Sequence, residues 1–275
     1  KAHENGIKLI LDAVFNPCGA FCKWLDRERI YEKSGLYPVG AYIAKASPYN
    51  SYFKWKSENW PENGDYDGWW GYSNHPKLNF EGSDELYNYI LSVAKKWVSP
   101  PFNADGWRLD VAADLGESAQ FNHKFWRDFR KAVKQANPNA IIIAEHYGNP
   151  SDWLDGTQWD SVMNYDGFME PVSYFLTGME KHSEQFRPDL LNNSDVFIKT
   201  LNEAMSSMTI NSIQTSMNQL SNHDHSRFYT RTNHTVGRLH TVGAYGADEK
   251  LNKGVFKEAI LFQMTWQGAP AIYYG

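Results

Sequence analysis

Short apolar runs alternate along this chain with longer stretches in which apolar positions recur every three to four residues. The clearest run is Ala140-Ile141-Ile142-Ile143-Ala144, β-branched at its centre and ending in Glu145. Similar runs lie at 7–16, where Ile7 to Leu11 leads into Asp12-Ala13-Val14-Phe15-Asn16, and at 104–111, 159–165, 212–220 and 269–274. Continuous apolar runs of this kind are the mark of buried parallel strands. Leu86, Ile90, Val93, Ala94 and Trp97 fall at helical spacing behind Ser83, a good N-cap residue. Phe121, Phe125, Phe129 and Val133 mark a second helix, stopped by Asn137-Pro138. Two more are expected at 197–208 and 255–266. Six strands alternating with helices predict βα units on a parallel sheet.

One interval breaks the rhythm. Asp12 and Asp110 are 98 residues apart, whereas a βαβ unit needs roughly 30. The surplus is rich in Tyr, Trp, Gly, Pro and Asn and has little periodicity. It reads as an irregular, aromatic-rich subdomain at 20–80, inserted into an α/β domain formed by 1–19 and 81–275. The chain has 275 residues, 42% hydrophobic and 15% aromatic, enough for a sizeable core and too apolar for disorder. A net charge of −5 argues against nucleic acid as a partner. No apolar run is long enough to span a membrane. Cys18 and Cys22 are too few for a disulfide scaffold. Two buried thiols are favoured over a local disulfide.

Polar residues gather where the predicted strands end: Asp12 and Asn16, Arg108 and Asp110, Glu145, then Asn222, His223 and Asp224. In an α/β barrel that end carries the active site. Glu145 follows Asp110 by 35 residues, one βα step, and Asp224 follows Glu145 by 79, about two steps. The spacing therefore brings three carboxylates to one rim. Arg108 and Asp110, two apart on a strand, face the same side. Its cation suits a carboxylate that must attack as an anion. Three carboxylates beside an arginine fit glycoside hydrolysis, with one as nucleophile, one as acid/base and one gripping sugar hydroxyls.

These motifs resemble the α-amylase family of glycoside hydrolases (glycoside hydrolase family 13), above all its neopullulanase, cyclomaltodextrinase and amylopullulanase-like branch. Asp12-Ala13-Val14-Phe15-Asn16, His75-Pro76-Lys77-Leu78-Asn79, Gly106-Trp107-Arg108-Leu109-Asp110, Glu145 and Ser221-Asn222-His223-Asp224 stand in the family's order, followed by Ala269 to Gly275 as its last barrel strand. The resemblance implies a (β/α)8 TIM barrel, of which this chain holds about the last six strands. The insert then follows the third barrel strand, and the functional protein is longer. It also implies retaining cleavage of α-1,4-glucosidic bonds in starch-like glucans, pullulan or cyclodextrins. Asp110 would be the nucleophile, Glu145 the acid/base and Asp224 the third carboxylate. Arg108, His223, Asn222, Trp70 and Tyr147 would contact or support substrate. The rival readings are transglycosylation and a non-catalytic glucan- or partner-binding relative.

The chain departs from the family at Pro17, where a sugar-binding His is expected. Trp55, Trp60, Tyr66, Trp69, Trp70 and Tyr72 crowd the insert, either as a glucan-binding wall or as its own core. No cofactor is required. Asn16 either joins loops by hydrogen bonds or serves as a ligand of a structural Ca²⁺. The ends of the chain leave localisation and oligomeric state open.

Overall fold

The computed structural model describes residues 1–237 and 246–273. The chain forms two compact units, Lys1–Glu145 and His146–Gly275. This line differs from the partition into 1–19/81–275 and 20–80, because the aromatic segment is laced into the first unit.

In the first unit β1 (Ile10–Ala13), α1 (Ile30–Ser34), α2 (Asp84–Val98), β2 (Gly106–Leu109), α3 (Ala119–Ala136) and β3 (Ile141–Ala144) follow in order. The three strands are parallel neighbours in chain order, with Asp12 beside Arg108 and Arg108 beside Ile143. Ser83 caps α2 by accepting from the Leu86 N–H at 3.3 Å, and Ser118 caps α3 through Phe121 at 3.2 Å. Charges complement both ends of α2: Asp84 and Glu85 open it, Lys95 and Lys96 close it. The apolar faces of α2 and α3 bury Leu86, Ile90, Phe125, Phe129 and Val133 beneath the strands. Phe125 makes edge contacts with Phe80, Tyr87 and Trp126 at 5.0–5.2 Å.

The segment after β1 is irregular but tied down. Leu78 N–H donates to the Asn16 carbonyl at 3.0 Å, and Cys18 N–H to the Pro76 carbonyl at 2.9 Å. Pro17 thus bridges Lys77 in antiparallel fashion and is buried. Trp55 sits edge-on to Trp60 and Tyr66 at 4.8 and 6.0 Å. The Trp55 and Trp60 indole N–H groups donate to Asn50 and Ala41 carbonyls. These aromatics are the local core. Cys18 and Cys22 are free, half-buried thiols. Each sulfur contacts the other. Their shared hydrogen bond, together with burial, raises the Cys18 thiol, while the same bond brings Cys22 down to about 7.

The second unit holds β4 (Ser161–Val162), α4 (Glu170–Thr177), α5 (Ser194–Ser206), α6 (Ile210–Thr215), β5 (Met217–Gln219), α7 (Phe228–Arg231), α8 (Lys253–Thr265) and β6 (Ala269–Ala271). β5 and β6 pair in parallel, and Met163 bridges Met217 in the same sense. Phe168, Val172, Leu220, Phe228 and Ala259 form its core, flanked by Phe197, Phe256 and Phe262.

Strands form within all six expected stretches, each shorter than its run, and two of the runs pass into helix or turn. Residues 212–215 are helical, because Thr209 caps α6 through the Ser212 N–H. After Val162 the backbone turns at Asn164 into a π-turn (Tyr165–Met169) and then α4. Pro171 lies in the first turn of α4 and Gly178 just past its end, each where that residue is favoured. Tyr274 and Gly275 lie outside the described residues. Among the described residues no helix is long and apolar enough to cross a membrane.

Gly106 tests how closely β2 and β3 approach. A Cβ there would lie 2.4 Å from the Ile141 carbonyl oxygen and 2.6 Å from the Ile141 Cγ2. Gly106→Ala is expected to lower stability by about 1–3 kcal/mol, the cost of overpacking a core. Urea unfolding measures it. An unchanged midpoint would mean that the strands can separate without penalty.

Candidate active site

Arg108 organises the first unit's strand ends. It is 11% exposed, and one face of its guanidinium fork meets three carboxylates. Nη1 lies 2.9 Å from Asp12 Oδ1 and 2.6 Å from Asp110 Oδ1, while Nη2 lies 2.9 Å from Glu145 Oε2. Burial disfavours the cation. The charge of Glu145 and the hydrogen bonds to Asp12 and Asp110 outweigh that cost and hold the guanidinium above its ordinary value. A lysine has no planar fork with which to reach all three.

Local backbone places each member. In-register pairing sets Asp12 directly beside Arg108. The Asp110 N–H donates to Ala13 at 3.1 Å, and the Glu145 N–H to Leu109 at 2.8 Å, so pairing continues past each strand end. Val111 follows Asp110 with φ of 40°, left-handed and strained for a β-branched residue. That turn aims its N–H at Glu145 Oε2, 3.0 Å away. Glu145 is 6% exposed. Asp12 had been legible only as a polar strand end, and Val111 not at all, since nothing in a Val side chain reports a donated N–H.

Asn16 is fully buried. Its Nδ2 donates to the Asp114 carbonyl at 2.7 Å, which joins two loops. Its Oδ1 is buried with no hydrogen-bond partner. That one amide oxygen suits a hard cation, but Ca²⁺ takes 6–8 oxygens. Among the described residues no cluster of three acidic or His ligands forms around it. The donor set here does not by itself make a calcium site. Trp70 is 76% exposed, with φ of 49°, and stacks on Trp69 at 4.7 Å.

In the second unit Tyr147 lies flat on buried Tyr165 at 4.3 Å and is about half exposed. His223 and Asp224 are exposed and meet at 3.1 Å. Asn222 is buried, and its side chain braces the loop. Its Nδ2 donates to the Tyr165 hydroxyl at 3.0 Å, and its Oδ1 accepts from the Asp224 N–H at 2.9 Å. His225 Nδ1 lies 2.6 Å from the same oxygen. Arg231 anchors the strand that feeds this loop. It is fully buried and donates to Ser173 Oγ at 2.6 Å and to the Leu220 carbonyl. Burial lowers its pKa to about 10, against the favourable charges of Glu180 and Glu170.

Sequence reasoning passed over the hairpin 178–187. Lys181 there pairs with Glu170, and Glu180 Oε1 meets His182 Nδ1 at 2.8 Å. Burial raises the Glu180 carboxyl, but hydrogen bonds from the His182 and Glu184 N–H groups and the His182 charge hold it below its ordinary value.

The whole chain, residues 1–275, matches the alpha-amylase family, catalytic domain. It is 33% identical over 279 residues to the cyclomaltodextrinase of Thermoanaerobacter pseudethanolicus, covering 100% of this chain and 40% of that protein. It is 33% identical over 280 residues to neopullulanase 2 of Thermoactinomyces vulgaris, covering 100% of this chain and 39% of the relative. The acarbose-soaked crystal structure of the Nostoc punctiforme debranching enzyme superposes with a TM-score of 0.74 at 28% identity. That match covers 99% of this chain and 52% of the other. The chain therefore spans about two fifths of these curated relatives. Its parallel α/β fold is a part of the family's barrel domain.

The Glu180 environment predicts a pH dependence. A carboxyl held below its unfolded value, about 4.3, stabilises the fold above that value and loses the contribution as pH falls through the folded value. Glu180→Gln is expected to cost about 1–2 kcal/mol at pH 7, near the low end for hydrogen bonds to a charged group. The gap from the parent should close as pH drops below about 4. Thermal melts across pH 3–8 check this. A gap independent of pH would exclude a charge effect.

Proposed function

We propose, from the premise that this chain belongs to the α-amylase family of glycoside hydrolases, that it carries the chemistry of a retaining α-glucan hydrolase. The substrates are α-1,4-linked glucans such as starch, pullulan or cyclodextrins. The observation that carries the reading is the single guanidinium of Arg108 holding both Asp110 and Glu145. One planar group between two carboxylates supports the close spacing of a retaining pair, about 5–5.5 Å, over the roughly 6.5–9.5 Å of an inverting one.

In the first step the Asp110 carboxylate attacks the anomeric carbon while Glu145 protonates the departing glycosidic oxygen. The C–O bond to the leaving sugar breaks as the ester to Asp110 forms. In the second step Glu145 removes a proton from water, water attacks the same carbon, and Asp110 leaves. Asp110 loses its charge in the ester, but Arg108 keeps Asp12 and Glu145 as partners. The fork therefore stays fixed through the cycle, so little reorganisation is needed. Asp224 and His223 grip the sugar at the cleavage subsite by analogy with the family, and Tyr147 and Trp70 offer apolar faces for sugar rings. The acarbose soaked into the Nostoc punctiforme enzyme supports a glucan-like ligand.

Asp110→Asn and Glu145→Gln in the full-length enzyme should each lower kcat on a maltooligosaccharide by at least about 10³-fold and preserve binding. NMR of the first product should show the α-anomer. Near-normal rates in both variants would overturn the assignment. Glucan binding by a parent without any turnover would favour a binding relative. Longer oligosaccharides among the products would favour transglycosylation.

A further inference from the structure

We propose that His182 is a specificity-determining sugar ligand, presented on a braced hairpin to the cavity that contains His223 and Asp224. The inference deepens the glucan reading above and rests on it. A cavity of about 540 Å³ in the second unit is lined by His182, His223, Asp224 and His225, among others. That is within the range of small-molecule sites.

The hairpin holding His182 is rigid. The Arg187 N–H donates to the Gly178 carbonyl at 2.7 Å, and the Glu180 N–H to the Gln185 carbonyl at 2.9 Å. It is fixed to the loop that carries Asp224. Ser226 donates through its N–H and its hydroxyl to the Lys181 carbonyl at 3.2 and 2.9 Å, and the Ser183 and Ser226 hydroxyls meet at 2.6 Å. The His182 ring lies 4.5 Å from His225, which itself shares Asn222 Oδ1 with the Asp224 N–H.

The imidazole is oriented through one nitrogen. Glu180 Oε1, 2.8 Å from Nδ1, fixes that nitrogen as the donor. Nε2 is then the atom left for a ligand, as an acceptor when the ring is neutral and a donor when it is charged. A sugar hydroxyl both donates and accepts, so it satisfies either state. A carboxylate-braced imidazole is pre-organised and loses little entropy on binding. A contact of this kind acts on substrate and transition state alike, so its loss should raise KM with little change in kcat.

The test uses the full-length protein in a Glu145→Gln background and titrates maltopentaose calorimetrically. His182→Leu is expected to weaken binding about tenfold. His182→Gln, whose amide can reach near the Nε2 position, should stay within about threefold, and melting temperatures should be unchanged. In the active background His182→Leu should raise KM and leave kcat intact. Parent-like affinity in His182→Leu overturns the proposal. Equal losses in both variants with lowered melting temperatures also overturn it, in favour of a structural role. If the background protein fails to bind maltopentaose at all, the glucan reading falls and takes this proposal with it.

Discussion

A buried guanidinium that must neutralise three carboxylates is the constraint on which the first unit depends. Arg108 sits on the middle one of three parallel strands, and its partners come from all three strand ends. Burying the guanidinium with Glu145 is costly, and the close charge of Glu145 with the hydrogen bonds to Asp12 and Asp110 offsets it. That demand explains the features around it. The strands keep strict register, pairing continues beyond β2 and β3, and Val111 accepts a strained backbone to supply one more donor to Glu145. Strain at such a place is tolerated because the surrounding contacts over-determine it.

The second unit solves a related problem with neutral groups. Asp224 is exposed, so its position comes from its backbone. Asn222, held by the Tyr165 hydroxyl, receives the Asp224 N–H and brings His225 to the same oxygen. Arg231 ties the Leu220 carbonyl to Ser173 on α4. Its buried charge is balanced over distance by Glu170 and Glu180, which also hold Lys181 and His182. Loop, helix and hairpin thus share one electrostatic network. Truncation of one member leaves the others with unmatched charge in a low-dielectric setting.

The irregular segment has a different logic. Its aromatics split into two groups. Trp55, Trp60 and Tyr66 turn on one another and spend their polar atoms on backbone carbonyls and Ser73, as a small core must. Trp70 and Tyr72 face solvent. Large apolar groups left exposed on a rigid turn are available for ring stacking, and the same composition therefore serves packing and presentation in different residues.

The sequence alone determined the periodicities, and with them strands in six stretches, helices through Leu86–Trp97 and Phe121–Val133 and at about 197–208 and 255–266, and the Ser83 cap. These depend on neighbours a few residues apart, which the chain itself displays. It also determined that Asp110, Glu145 and Arg108 stand at strand ends, because strand order and alternation follow from spacing. Tertiary structure decided which carboxylates the arginine holds, that Asp12 joins them, and that Asn222 braces a loop. It decided that the 20–80 segment packs with the first unit, through bonds between Asn16–Cys18 and Pro76–Leu78. And it placed His182 beside Asp224's loop across more than forty residues of chain. Such contacts join groups far apart in sequence, and their energies depend on burial and angle. Neither is a property of any local window of residues.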